Sequence, residues 1–173
     1  PKLICGHHPM HGVLYQLLPP APLHHITVLR DPINRVLSYY NYACGKKDHP
    51  MYKAAMTLGF EDFLKQAPSP EFHNGQAKRF AGQLHNKCMK NDELLSTAVD
   101  VLSQCFSKVF TTCRLNEAIS TLHRDLKFED KLLGKANQSA KRIKRSELTS
   151  KQLDSITQHN SVDMALFERF FAG

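Results

Sequence analysis

The sequence has no closely spaced pair of cysteines. Its five cysteines are an odd number, and no Cys-x-x-Cys motif occurs among Cys5, Cys44, Cys88, Cys105 and Cys113. A zinc site of the usual kind is therefore not expected, and we predict that the chain uses no metal. The odd count favours a reducing compartment, and two disulfides with one free thiol in an oxidising lumen are the alternative.

Long hydrophobic runs are also missing. No apolar stretch reaches the roughly 20 residues that a bilayer-spanning helix needs, and no signal-peptide pattern is present. We therefore expect no membrane anchor within this chain. The sequence begins at Pro1 rather than at Met, so we expect its N-terminus, with any targeting signal, to have been cut.

Acidic residues are the minority among the charged ones. The chain of 173 residues has 23 Lys and Arg against 16 Asp and Glu, a net charge of +7. Its 42% hydrophobic content is that of a globular protein, and its length fits a single domain. The excess charge favours an anionic partner: a nucleotide, a sulfated or phosphorylated ligand, an acidic glycan or a nucleic acid. No RRM, KH, zinc-finger or helix-turn-helix pattern accompanies it, so a nucleic-acid-binding protein is only an alternative.

Apolar runs alternate with helical patterns, which predicts an α/β protein with a parallel sheet. The predicted strands are Leu3–Cys5, His24–Leu29 and Lys108–Thr112. Helices are predicted from Pro32 to about Cys44, over Phe60–Lys65, Asp92–Gln104 and Leu115–Leu126, after a capping box at Thr149 and from Asn160 onward. The segment His73–Leu84 is ambiguous, with a helix begun by Asn74 as one interpretation, and Lys127–Ser146 is predicted to be a surface loop.

The most informative segment is the strand that ends in Arg30 and turns directly into a helix. Asp31 suits an N-cap and Pro32 suits the first helical position. Helical spacing predicts two faces, one turned to the core (Ile33, Val36, Leu37 and Tyr40) and one opposite (Arg35, Ser38, Tyr39 and Tyr42). Arg30 is then at the carboxyl end of a strand, beside the positive end of a helix. Ligands of open α/β sheets bind at that edge, so we predict a phosphate site.

The pattern Arg30-Asp-Pro-x-x-Arg35-x-x-Ser38-x-Tyr40 resembles the 3′-phosphate-binding motif of sulfotransferases that use 3′-phosphoadenosine-5′-phosphosulfate, PAPS. It is most similar to that of carbohydrate sulfotransferases, such as the heparan sulfate 2-O- and 6-O-sulfotransferases, and their bacterial relatives. Three further segments resemble the family in the same order: residues 6–9, residues 74–82 and residues 148–167. The resemblance implies a three-layer fold like that of P-loop NTPases, with a central parallel sheet flanked by helices. It also implies sulfuryl transfer from PAPS to a carbohydrate hydroxyl.

The resemblance also implies roles for individual residues. His7, in the Gly-His loop, is the expected catalytic base, because the pKa of an imidazole is near neutral. His8 competes for that role and is otherwise expected to contact the acceptor, while the alternative for both is a surface loop histidine. Arg30 and Ser38 are expected to bind the 3′-phosphate. Arg35 is either a second anion contact or a solvated helix charge.

Two groups of basic residues complete the predicted site. Lys78 and Arg79 are expected to line an acceptor groove or, equally, to form a solvated helix face. Lys141 and Arg142 begin a basic cluster that runs to Arg145. In the resembled family, a late basic loop covers the nucleotide, whereas such a run by itself indicates only a solvated patch.

The sequence departs from the resembled family at one place. The resembled family grips the 5′-phosphosulfate of the donor with a P-loop-like turn that holds a Lys and a Thr or Ser. Neither a GxxxxGK[ST] motif nor a Lys-x-x-x-Thr pattern precedes Gly6. We therefore expect residues 1–173 to be one sulfotransferase domain that lacks its N-terminal strand, loop and helix. The alternative is a truncated relative that binds the nucleotide without activity. Eukaryotic relatives are anchored in the Golgi lumen, and the cysteine count favours the cytoplasm of a bacterium instead.

Overall fold

The computed structural model describes residues 24–66, 69–84, 89–126 and 143–171. The strands of this part are β1 (Ile26–Leu29) and β2 (Lys108–Thr111). Its α-helices are α1 (Pro32–Gly45), α2 (Tyr52–Thr57), α3 (Phe60–Gln66), α4 (Gly75–Phe80), α5 (Asn91–Cys105), α6 (Leu115–Leu126), α7 (Ser150–His159) and α8 (Ser161–Phe171). Short 3₁₀ turns lie at Pro70–Phe72, Thr112–Arg114 and Arg145–Glu147. The expected strand Leu3–Cys5 lies outside the described residues.

The two strands pair in parallel, as the alternation of strands and helices predicts. Ile26 is opposite Lys108 and Leu29 is opposite Thr111. A parallel pair needs a long crossover connection, and here the connection carries the helices from α1 to α5. The described part is thus a helix-rich α/β structure with a small parallel sheet.

The turn from β1 into α1 forms as the local sequence predicts. The Oδ1 atom of Asp31 accepts a hydrogen bond from the backbone N–H of Asn34 at 2.8 Å, which caps the helix, and Pro32 occupies the first helical position. The face predicted to be apolar is buried, with Ile33, Val36, Leu37 and Tyr40 each at most 8% exposed.

Two hydrophobic clusters meet at this turn. The first lies under α1 and includes T-shaped ring contacts of Tyr40 with Phe60 and Phe63. The second includes Leu29 of β1 with residues of α4, α5 and α8, among them Phe80, Leu102 and Leu166. Leu29 packs in one cluster and Ile33 in the other, so Arg30 is positioned at the boundary between two rigid cores.

The structure adds one helix and shifts another. Residues 52–57 form α2, which has no side-chain N-cap, and the hydroxyl of Tyr40 donates a hydrogen bond to the carbonyl of its Ala55 at 3.3 Å.

The capping box at Thr149 and Gln152 is confirmed, since each side chain accepts a hydrogen bond from the other's backbone N–H. The sequence predicts the terminal helix from Asn160 onward, but Asn160 is the C-cap residue of α7, and α8 begins one residue later at Ser161. Among the described residues, no helix is long and apolar enough to cross a bilayer.

Candidate functional site

Arg30 follows the last residue of β1 and precedes the N-cap of α1. Burial lowers the pKa of its half-buried guanidinium, the carboxylate of Asp31 raises it, and the charge of Arg35 lowers it. Within the described ranges, this guanidinium has no hydrogen bond or ion pair. A desolvated cation next to the positive end of a helix is a favourable partner for an anion.

The backbone of Arg30 is held by the side-chain amide of Gln76. The N–H of Arg30 donates to Oε1 of Gln76, and Nε2 of Gln76 donates to the carbonyl of Arg30, both at 2.9 Å. Gln76 is buried in α4, and α4 packs in the second hydrophobic cluster. The amide therefore satisfies both backbone groups of one residue, as a neighbouring strand would.

Gln76 belongs to a buried polar network that joins α4 to α8. Asp163 accepts hydrogen bonds from the backbone N–H of Gln76 at 3.0 Å and of Ala77 at 2.7 Å. Burial raises the pKa of Asp163, and these two hydrogen bonds act in the opposite direction. In return Asn74, in the left-handed conformation with φ of 53°, accepts from the N–H of Val162 and of Asp163. Each helix thus caps the first turn of the other.

The side chain of Arg35 has an environment unlike that of Arg30. Its guanidinium forms an ion pair with Glu71 and also donates to the backbone carbonyl of Glu71. Arg79 pairs with the second carboxylate oxygen of Glu71. Gly75 allows this approach, because a Cβ atom at residue 75 would lie 2.6 Å from Nη2 of Arg35. The proposed anion contact of Arg35 stays a prediction, and the structure shows its guanidinium bonded within the protein.

Ser38 lies on the face of α1 that also carries Arg35, Tyr39 and Tyr42. Its side chain is half-buried, and its hydroxyl has no hydrogen-bond partner in the described part of the chain. Tyr39 makes T-shaped contacts with His49 and Phe72. Tyr39 thus packs against other rings of the protein, as Tyr40 does in the first hydrophobic cluster.

The end of the basic segment reaches the same turn. The side chain of Asn41 binds both backbone groups of Ile143, with hydrogen bonds of 3.1 and 2.9 Å. Two residues later, Nη1 of Arg145 lies 3.5 Å from both carboxylate oxygens of Asp31. Sequence reasoning had not singled out Arg145 from its cluster. The predicted contacts Lys141 and Arg142, like His7 and His8, lie outside the described residues.

The remaining predicted residues lie on α4. Arg79 shares Glu71 with Arg35, as described above. Lys78 is half-buried, and its charge acts on His73, whose pKa is lowered by burial, by His159 and by Lys78. Their proposed contact with an acceptor stays a prediction.

A cavity of about 380 Å³ is bordered by Tyr40, Asn41, Cys44, Ala55, Met56, Leu58 and Ile143, and none of the predicted site residues lines it. No group of three or more metal-ligating side chains occurs among the described residues. The turn at Arg30 combines a cation that has no hydrogen bond or ion pair in the described ranges with the N-terminus of α1, two groups that favour an anion.

Comparisons with known proteins give one match. The model of a family described as the sulfotransferase family matches residues 22–169, which include β1, β2 and every helix named above up to most of α8. No curated protein and no solved structure matches the chain significantly.

Proposed function

Because the chain belongs to the sulfotransferase family, we propose that it transfers a sulfuryl group from PAPS to a hydroxyl group of a carbohydrate. One observation supports the choice of donor most strongly. The half-buried guanidinium of Arg30 has no hydrogen bond or ion pair in the described ranges and adjoins the N-terminus of α1. A dianionic phosphate offers such a group both charge and paired acceptor oxygens.

Arg30 and Ser38 bind the 3′-phosphate of the donor in this proposal. Arg30 contributes its charge and Ser38 donates its hydroxyl hydrogen. Lys141 and Arg142 cover the nucleotide, and the anchoring of Ile143 by Asn41 supports this by holding the end of their segment against α1. The arrangement would belong to a three-layer fold with a central parallel sheet, of which β1 and β2 are two neighbouring strands.

The reaction is an in-line displacement at sulfur. The acceptor oxygen forms a bond to sulfur as the bond from sulfur to the donor's phosphate oxygen breaks, and adenosine 3′,5′-bisphosphate leaves. His7 accepts the proton of the attacking hydroxyl. Negative charge grows on the leaving oxygens, so cationic groups fixed beforehand lower the barrier. His8, Lys78 and Arg79 contact the acceptor, and the net charge of +7 suits an acidic carbohydrate.

A transfer assay tests the proposal. The protein is incubated with PAPS labelled in its sulfuryl group and with a panel of acidic and neutral oligosaccharides. We expect label on at least one carbohydrate, and no transfer by His7→Ala although this variant still binds adenosine 3′,5′-bisphosphate. Transfer retained in His7→Ala would remove His7 as the base. Binding of the bisphosphate without transfer to any acceptor would instead favour a nucleotide-binding relative without activity.

A further inference from the structure

The buried network of Asn74, Gln76, Asn160 and Asp163 ends on the backbone of Arg30. We propose that Gln76 is a positioning residue of the anion site: its amide fixes the backbone of Arg30, so that the guanidinium is oriented before the ligand arrives. The inference rests on the proposed function only in the identity of the anion, the 3′-phosphate of the donor.

The contact between Gln76 and Arg30 uses the whole amide group. Its oxygen accepts from the N–H of Arg30 and its nitrogen donates to the carbonyl of Arg30. These two bonds restrain the torsions of residue 30 on both sides of its Cα atom, and therefore the direction in which its side chain leaves the backbone. No hydrogen bond or ion pair to the guanidinium itself fixes that side chain within the described ranges.

Gln76 is in turn held by elements far away in the sequence. Asp163, 1% exposed, accepts from its backbone N–H, and Asn74, 8% exposed, accepts from the N–H of Asp163. Asn160, 1% exposed, accepts from the N–H of Asn74 at 3.1 Å and donates to the carbonyls of Phe72 and Ile156. Every hydrogen bond of this network joins a side chain to a backbone N–H or carbonyl group. The network therefore fixes the position of α4 relative to α8 and to the end of β1.

A purely structural explanation accounts less well for this arrangement. Buried polar networks give little net stability compared with apolar packing of the same volume, since each group loses its hydration. This network instead defines one geometry, and its last member acts on the residue whose side chain is available to a ligand. Placing a charged group correctly before binding removes an ordering cost from binding and catalysis.

The test compares two nucleotides that differ in one group. Adenosine 3′,5′-bisphosphate and adenosine 5′-monophosphate share all but the 3′-phosphate, so the ratio of their dissociation constants reports the contribution of that group. Gln76→Met keeps the side-chain length and removes both hydrogen bonds. Leu102→Val is the control, because Leu102 is fully buried in the same hydrophobic cluster and lies outside the network. Gln76→Glu, which keeps the acceptor for the N–H of Arg30, replaces Gln76→Met should that variant not fold.

We expect the wild type to prefer the bisphosphate, Gln76→Met to lower this preference by about tenfold, and Leu102→Val to leave it unchanged. Hydrogen exchange of the Arg30 amide should accelerate in Gln76→Met alone. An unchanged preference in the Gln76 variant, or an equal loss in Leu102→Val, overturns the inference. A wild type that does not distinguish the two nucleotides overturns the proposed donor site, and the positioning of Arg30 for a 3′-phosphate with it.

Discussion

Arg30 and Arg35 lie on the two sides of one strand-to-helix turn, and different parts of each residue are held by the protein. Arg30 is held through its backbone, by Gln76, and its guanidinium has no partner in the described ranges. Arg35 is held through its guanidinium, by the carboxylate and the carbonyl of Glu71. From the sequence, Arg30 is predicted to contact the anion, whereas Arg35 is either a second anion contact or a solvated helix charge.

A guanidinium inside a protein can stabilise the fold or bind a ligand, depending on whether a carboxylate pairs with it. A guanidinium with a carboxylate partner stabilises the position of its elements, and removing the partner is costly. A guanidinium without one is a desolvated charge that lowers stability until a ligand compensates it. We therefore expect the region of Arg35 to determine folding and the region of Arg30 to determine binding.

The largest effect on stability is expected from Glu71→Gln. Arg35 and Arg79 lose their shared carboxylate although the side chain of Arg35 is only 16% exposed, so we expect the free energy of unfolding to fall by about 3 kcal/mol. Denaturant unfolding measures the change. The matched control is Glu61→Gln, which breaks an exposed pair with Lys151 and should cost less than about 1 kcal/mol. Equal losses in the two variants would contradict a structural role for Arg35.

Gly75→Ala should have the next largest effect. The new Cβ atom would lie 2.6 Å from Nη2 and 2.9 Å from Nη1 of Arg35, so the guanidinium has to shift from its position beside Glu71. We expect a loss of about 1–3 kcal/mol in the free energy of unfolding, as for other overpacked sites. Gly59→Ala is the control, since no atom lies within 4 Å of its Cβ position. A tolerated substitution at residue 75 would contradict this prediction and show that the guanidinium of Arg35 shifts without a loss of stability.

Arg30→Met should change stability least among these substitutions. Removing an unpartnered, half-buried charge while keeping the apolar stem should leave the free energy of unfolding unchanged or raise it by about 1 kcal/mol in the absence of nucleotide. Thermal unfolding of the ligand-free protein is the measurement. A loss as large as that of Glu71→Gln would mean that Arg30 is structural as well.

A small pH effect is expected from His73, near Glu71 in the sequence. Its pKa is lowered from 6.5 by burial, by His159 and by Lys78, so the unfolded chain takes up a proton at a higher pH than the folded protein does. The contribution of His73 to stability is therefore present above about pH 6.5 and is lost as the pH falls toward its folded pKa. Thermal midpoints at about pH 7.5 and about pH 5.5 should differ less in His73→Gln than in the wild type. An identical pH dependence would exclude this contribution.

Local signals explain the elements that the sequence predicts correctly. Asp31 and Pro32 begin α1 through a side-chain cap and a fixed φ, and Thr149 and Gln152 begin α7 through a capping box. In α1 the apolar stripe of Ile33, Val36 and Leu37 identifies the buried face. Each of these features depends on residues at most a few positions apart, so the pattern in the sequence is sufficient.

Long-range contacts explain what the sequence does not reveal. The short helix α2 has no capping side chain and depends on packing such as that of Ala55 against α1. Nothing in the sequence around Glu71 distinguishes it from an exposed carboxylate, because its partner Arg35 is distant in the sequence. The network is equally hidden, because Gln76 and Asp163 are polar residues that a sequence pattern assigns to the surface. Their resemblance to family segments was the available signal, and it indicated no contact between them.

The central claim is that the side chain of Arg30, and not that of Arg35, is the one kept available for the donor. A calorimetric titration of adenosine 3′,5′-bisphosphate into the wild type, Arg30→Met and Glu71→Gln tests it most directly, at a temperature at which all three are folded. We predict micromolar binding by the wild type, affinity lower by at least about tenfold in Arg30→Met, and affinity within about threefold of the wild type in Glu71→Gln. Equal affinity in Arg30→Met and the wild type would contradict the account.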